Sequence, residues 1–230
     1  MRPLALIPGL MCDAGLFSVI LPELSRSASI SVADVSRDDT MAGMARRLLR
    51  QIDGKFDLLG FSMGGFVAHE VVAQAPHRVR RLALLDTNAN ADPPAVVEWR
   101  QTCIERARRG EMMDIMRTEL VPRYFASDQA KQAIAQGCLQ TAEAIGAEVF
   151  VRQFSALADR IDHHDTLGSF KKPALVLRGE FDELCNKEAH MRMVDALPNG
   201  RYAEISGAAH LTTLERPDLV SVLLRTFLEE

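Results

Sequence analysis

Gly60, Ser62 and Gly64 stand at alternate positions in Phe56-Asp57-Leu58-Leu59-Gly60-Phe61-Ser62-Met63-Gly64-Gly65-Phe66-Val67-Ala68, where a short apolar run gives way to small and apolar residues. The change of pattern predicts a strand, a sharp turn and a helix, with glycine required on both sides of the serine because the two elements approach too closely for a Cβ. A serine on such a turn is placed for nucleophilic chemistry. Its hydroxyl is unreactive at neutral pH, so it requires a base within hydrogen-bond reach and an anion that holds the base in the right tautomer. His210, in the small-residue loop Ser206-Gly207-Ala208-Ala209-His210, is the candidate base. Asp182, in Glu180-Phe181-Asp182, and Asp86, at the end of Arg81-Leu82-Ala83-Leu84-Leu85-Asp86, are the candidate acids.

These residues meet only if a fold brings together segments that are distant in sequence. Apolar runs at Pro3–Ile7, Ser29–Val32, Phe56–Phe61, Arg81–Leu85, Pro173–Arg178 and Arg201–Ile205 read as strands. Stretches with helical periodicity separate them: Gly15–Leu24, Met44–Ile52, the run after Ser62, Lys187–Leu197 and Asp218–Leu228. Alternating strands and helices predict a mostly parallel, doubly wound α/β sheet of about six strands. In such a sheet sites form at the carboxyl ends of the strands, which is where Ser62, Asp182 and His210 all fall. From Asn88 to about Thr166 the alternation stops. Asp92-Pro93-Pro94 interrupts the chain, and Ala95–Arg109, Met112–Leu120, Gln129–Leu139 and Ala144–Ala158 carry only helical patterns. The expected organisation is a core of residues 1–88 and 167–230 with a helical cap, residues 89–166, inserted into it.

Three segments together resemble the α/β-hydrolase superfamily. Gly60-Phe61-Ser62-Met63-Gly64-Gly65 is similar to its nucleophile elbow, Leu177-Arg178-Gly179-Glu180-Phe181-Asp182 to its acid loop, and Gly207-Ala208-Ala209-His210-Leu211 through Glu215-Arg216-Pro217 to its histidine loop. The likeness covers most of the chain outside the cap and is greatest to small cofactor-free carboxylesterases, enol-lactonases and pimeloyl-type methyl esterases. It implies Asp182, rather than Asp86, as the acid beside His210, and the backbone N–H groups of Leu10 and Met63 as the oxyanion hole. Two departures stand out: Pro8-Gly9 replaces the family's usual His-Gly, and the N-terminal strand pair of larger members is missing. The implied activity is hydrolysis of small carboxylic esters, lactones or thioesters through a Ser-His-Asp triad and an acyl-enzyme. The same triad on this fold also serves C–C bond hydrolysis and perhydrolysis, and a binding protein that retains the triad is a further alternative.

The remaining chemistry-bearing residues have simpler readings. Met11 in the core, and Trp99, Phe125 and Phe154 in an apolar cap that roofs the site, are expected to touch substrate. Cys12 reads as a small apolar filler or a pocket-border residue, and Asp13 as a helix cap or a second border residue. Asp86 is expected to anchor a loop through backbone N–H groups. His69 and His77 read as structural or solvated. His163-His164-Asp165 lacks a further ligand at zinc-like spacing, so no metal and no cofactor is expected. Arg106, Arg108 and Arg109 are nearly balanced by neighbouring acids and read as a solvated face rather than a docking patch.

Composition agrees with a soluble enzyme of small molecules. The 230 residues are 47% hydrophobic and 25% charged, values that favour neither disorder nor a membrane protein. A net charge of −4 gives no basic surface for nucleic acid. Cys12, Cys103, Cys138 and Cys185 are scattered without a paired spacing, and the apolar run at the N-terminus is too short for a signal or a span. The expectation is a reduced, cytoplasmic protein, monomeric or homodimeric, with no nucleic-acid or membrane partner.

Overall fold

The computed structural model describes residues 1–125 and 130–230. Six strands form one sheet: β1 (Arg2–Ile7), β2 (Ala28–Val32), β3 (Phe56–Phe61), β4 (Val79–Leu85), β5 (Ala174–Gly179) and β6 (Gly200–Ile205). Their spatial order is β2-β1-β3-β4-β5-β6 and every pairing is parallel. The expected α/β class and strand number hold, with the sheet wholly parallel. All six residues of β3 and of β5 are buried, as a strand covered by helices on both faces requires.

The helices are α1 (Leu21–Leu24), α2 (Met41–Gln51), α3 (Met63–Gln74), α4 (Pro94–Arg108), α5 (Met112–Ile115), α6 (Ala130–Ile145), α7 (Ala147–Ala158), α8 (His164–Ser169), α9 (Lys187–Ala196), α10 (Thr212–Glu215) and α11 (Pro217–Glu229). One apolar cluster joins α2, α3, α8 and α9 to one face of the sheet. A second joins α1 and α11 to the other face and continues into α4 to α7, where Phe150 and Phe154 stack with ring centres 4.1 Å apart. Burying each such ring removes most of its surface from water and is worth about 1.5–3 kcal/mol. No helix among the described residues is long and apolar enough to cross a membrane.

Local differences from the expected elements have local causes. The segment Gly15–Leu24 is not one helix: Asp13 caps a short 3₁₀ turn, Ala14–Phe17, by accepting from Gly15 N, and α1 begins beyond it, with Pro22 in its first turn. Ala144–Ala158 is likewise divided, because Gly146 at φ +89° ends α6 and starts α7. The helical stretch after Met112 loosens into a π turn at Met116–Leu120 and a 3₁₀ turn at Val121–Tyr124, where Pro122 has no N–H to offer. The expected start of a helix at Gln129 lies outside the described residues. Short helices α8 and α10 have too few residues for a periodic signal.

The tightest constraint is at the turn between β3 and α3. A Cβ on Gly64 would collide with Ile7 O at the end of β1, and one on Gly60 with the backbone of Gly64. Ser62 between them has φ +51°, a conformation costly for any residue with a side chain. Gly64→Ala should therefore push α3 away from β1, destabilising the fold by about 1–3 kcal/mol. A urea titration in which the variant's midpoint equals that of the parent would show that the turn is not crowded.

Candidate active site

The parallel sheet delivers four loops to one edge. β3 leads directly into Ser62, β5 ends three residues before Asp182, β6 ends five before His210, and β1 ends three before Leu10. Ser62 is fixed at both ends of its own backbone: its N–H donates to Leu85 O at 2.9 Å, and its carbonyl accepts from Thr87 Oγ1 at 2.8 Å. His210 Nε2 lies 2.9 Å from Ser62 Oγ, and His210 Nδ1 lies 3.0 Å from Asp182 Oδ2. A neutral imidazole with its proton on Nδ1 satisfies both contacts, donating to the carboxylate and accepting from the hydroxyl.

Each member of this chain is buried and held by further bonds. Asp182 Oδ1 accepts from the N–H groups of Leu184 and Cys185, at 2.9 and 3.1 Å, which leaves Oδ2 for the histidine. Burial works against the ionised Asp182, but the adjacent His210 and these N–H groups outweigh it and hold the carboxyl below its ordinary range. Arg178, a lone charge in an apolar strand, donates to the carbonyls of Glu180 and Asp182 and pairs with Glu204, so its guanidinium fixes the acid loop from inside. On the opposite side, His210 N–H donates to Tyr124 O at 3.1 Å.

Asp86 lies on the same sheet edge but does not reach His210. Its Oδ1 accepts from Gly179 N at 2.9 Å and its Oδ2 bonds to Thr212 Oγ1, tying the acid loop to α10. Complete burial, and then the neighbouring charge of Asp182, push its carboxyl well above the usual range.

Leu10 and Met63 both line the cavity with Ser62, and neither backbone N–H has an acceptor among the described residues. Met63 opens α3, where N–H groups lack intrahelical partners and the helix dipole favours negative charge. The loop bearing Leu10 is closed by a Cys12 N to Gly9 O bond at 3.2 Å, and Met11 in it has φ +50°. Gln153 holds that strained residue: its Oε1 accepts from Met11 N at 2.9 Å, while its Nε2 donates to Val35 O at 3.2 Å. Sequence reasoning passed over Gln153 and Arg178. The available signal was a polar residue among buried apolar ones: Gln153 between Phe150, Phe154 and Leu157 on one face of α7, and Arg178 as the one charge in β5 after Leu175, Val176 and Leu177.

Ser62 and His210 open on a cavity of about 480 Å³. Trp99 lines it, as do Leu10, Cys12 and Met63. Three expected contacts lie elsewhere. Met11, turned away by its backbone, lines a separate cavity beneath α6. Phe154 is fully buried between Phe150 and Trp99, and Phe125 packs beside Tyr124 outside the cavity wall. Among the described residues the charged lining is Asp92, Arg100, Arg123 and Arg160. His163 bonds Glu70 and Thr166, and His164 bonds Asp162. His69 is buried in the core with both ring nitrogens unpartnered, its pKa pulled down to about 3 by burial, while His77 is exposed. On α4, Arg106 pairs with Glu111 and Glu119.

The chain is an α/β-hydrolase, and its wholly parallel sheet gathers the loops of Ser62, Asp182 and His210 on one carboxyl edge. More narrowly, the chain belongs to the family described as serine aminopeptidase, S33, which matches residues 24–217. It is 26% identical over 243 residues to polyketide synthase ThaQ of Burkholderia thailandensis, covering 98% of this chain but 12% of that one. It is also 26% identical over 233 residues to pyrrolizixenacetamide deacetylase of Xenorhabdus hominickii, covering 97% of this chain and 84% of that one. Among solved structures, a thermophilic esterase from Thermogutta terrifontis superposes with a TM-score of 0.90 at 27% identity, over 100% of this chain and 90% of that one.

The raised Asp86 pKa has a sign that can be tested. A carboxyl whose folded pKa lies above its unfolded value, about 3.9, stabilises the fold at low pH, and that contribution is lost as pH rises toward the folded pKa. Asparagine keeps an oxygen for Gly179 N–H and an N–H for Thr212 without the burden of ionisation. The stability of Asp86→Asn relative to the parent should therefore increase between pH 4.5 and pH 7.5 in paired urea titrations. A constant difference would mean that Asp86 titrates normally.

Proposed function

We propose that the protein is a serine hydrolase of small carboxylic esters, with Ser62 as nucleophile, His210 as general base and acid, and Asp182 as the orienting anion. The observation that carries this reading is the continuous chain from Ser62 Oγ through His210 to Asp182, 2.9 and 3.0 Å long, opening on the cavity beneath α4 and the turn at Val121–Tyr124.

In the first half-reaction Ser62 Oγ attacks the ester carbonyl carbon as its proton passes to His210 Nε2. The carbonyl electron pair moves onto oxygen, and the N–H groups of Leu10 and Met63 receive the oxyanion. Donors aimed in this way are worth about 3–4 kcal/mol each in the transition state. Collapse of the intermediate breaks the carbon–oxygen bond to the leaving group, which takes the proton from His210 and departs as an alcohol. Water then repeats the sequence on the acyl-Ser62 ester: it loses a proton to His210, attacks the carbonyl, and Ser62 Oγ leaves with that proton. Asp182 keeps Nδ1–H in place throughout and stabilises the transient imidazolium. The helices from α4 to α7 serve in this reading as a cap that removes the reacting atoms from bulk water, which strengthens each of these interactions.

The family description and the deacetylase relative raise amide hydrolysis as a second reading. A free α-amine, the group an aminopeptidase must recognise, would need an available carboxylate. The one in the described cavity lining, Asp92, already serves two arginines.

Ser62→Ala should lower kcat/KM for p-nitrophenyl esters at least about 10³-fold without altering the fold. A fluorophosphonate probe should label the parent and leave the variant unlabelled. Equal ester turnover by the two proteins would overturn the assignment, and the matching anilides, if cleaved faster than the esters, would favour the second reading.

A further inference from the structure

The cavity beside Ser62 contains a charge arrangement that ester hydrolysis alone does not use. Asp92 is shared by two guanidiniums: its Oδ2 lies 2.6 Å from Arg100 Nε and its Oδ1 lies 2.6 Å from Arg160 Nη2. The three side chains are 5%, 12% and 7% exposed respectively, so the group sits largely out of water. Arg160 is further fixed by an Nε bond to Asn90 O at 2.9 Å and by the ring of Phe66, 4.1 Å beneath its guanidinium. Arg100 lies 5.5 Å from the ring centre of Phe154. Both arginines are thus held in place before any ligand arrives.

Two cations facing one anion leave an excess of positive charge in a desolvated wall. Taking an unpaired guanidinium out of water is expensive, and a cluster with only a structural purpose would be better served by one arginine for one aspartate. Burial, followed by the opposing effects of Asp92 and Arg100, draws the Arg160 pKa down to about 10, which still leaves it cationic at neutral pH. The other ionisable groups of the lining do not supply a counter-charge, since burial keeps Cys12, Tyr124 and Cys185 protonated. Arg160 Nη1 and both terminal nitrogens of Arg100 have no acceptor among the described residues, and both residues line the same cavity as Ser62 and His210. Planar guanidiniums with free parallel N–H groups match the two oxygens of a carboxylate.

We propose that Arg100 and Arg160, held by Asp92, bind a carboxylate on the substrate, so that the preferred esters or lactones carry a second, ionised carboxyl group away from the scissile bond. This rests on the reading of Ser62 as the nucleophile and narrows it to half-esters of dicarboxylic acids and compounds of the same charge pattern.

The test compares mono-p-nitrophenyl glutarate with p-nitrophenyl valerate, which have similar length and the same leaving group and differ in the terminal carboxylate. The parent should prefer the glutarate ester at least tenfold in kcat/KM. That preference ratio should fall at least tenfold in Arg100→Gln and recover in part in Arg100→Lys, which restores charge without the planar fork. A ratio near one in the parent, or a ratio unmoved by Arg100→Gln while valerate is still turned over, would overturn the proposal and leave the hydrolase reading intact. If neither ester is cleaved and Ser62 is not labelled by fluorophosphonate, the hydrolase reading is what has failed. Calorimetry of free glutarate with Ser62→Ala then decides: binding weakened at least tenfold by Arg100→Gln supports the anion site, and absence of binding overturns it.

Discussion

At the junction of β3 and α3 the chain has no room for a side chain on either flank of Ser62. Gly64 lies against the carbonyl of Ile7 and Gly60 against the backbone of Gly64, so three segments converge with only hydrogen atoms between them. This close approach fixes the serine at φ +51° and sets the first N–H of α3 beside it. It also fixes β1 relative to α3, and hence the loop that carries Leu10. The proposed nucleophile and both proposed oxyanion donors are therefore products of one backbone contact, and no side-chain interaction could replace it, because any Cβ would open the gap.

Around that contact the polar groups are arranged by how many bonds each has left. Asp182 uses one oxygen for two backbone N–H groups and keeps the other for His210. Asp86, one strand nearer to the serine, spends both oxygens on Gly179 and Thr212 and has none to spare. Both are buried carboxyls on one sheet edge, yet their pKa values move in opposite directions, because Asp182 gains a basic partner and Asp86 gains mainly desolvation and the charge of Asp182. The proximity of two such groups at this edge depends on one of them remaining neutral.

The sheet and the gathering of Ser62, His210 and both candidate acids on one edge were legible from apolar runs, turn glycines and the rule that parallel strands share a carboxyl edge, whereas the choice of Asp182 over Asp86 came from the resemblance of its loop to the α/β-hydrolase acid loop. Cap contacts were not legible to the same degree. Met11, Phe125 and Phe154 are apolar residues near the site in sequence or on cap helices, and periodicity cannot tell a residue facing a cavity from one facing a neighbouring helix. Trp99 and Phe154 differ only in which way α4 and α7 are turned, which their mutual packing decides. The pairing of Asp92 with Arg160 was hidden for another reason: sixty-eight residues separate the two, and they meet only in the folded chain, where Arg100, eight residues from Asp92, joins them. Breaks at Gly146 and after Phe17 are, by contrast, local: a glycine at positive φ ends one helix, and a proline opens the next after a capped 3₁₀ turn.

Gln153 joins Met11 N to Val35 O from α7, and Tyr124 O receives His210 N from the turn ahead of α6. The region above the cavity therefore grips the loop of Leu10 and Met11 at one point and the loop of His210 at another. A roof attached in this way does not behave as a hinged door. Lifting it would leave the Met11 and His210 backbone N–H groups without their acceptors. On the proposed reading of Ser62, the geometry for bond cleavage is therefore tied to the seating of this region on the two loops.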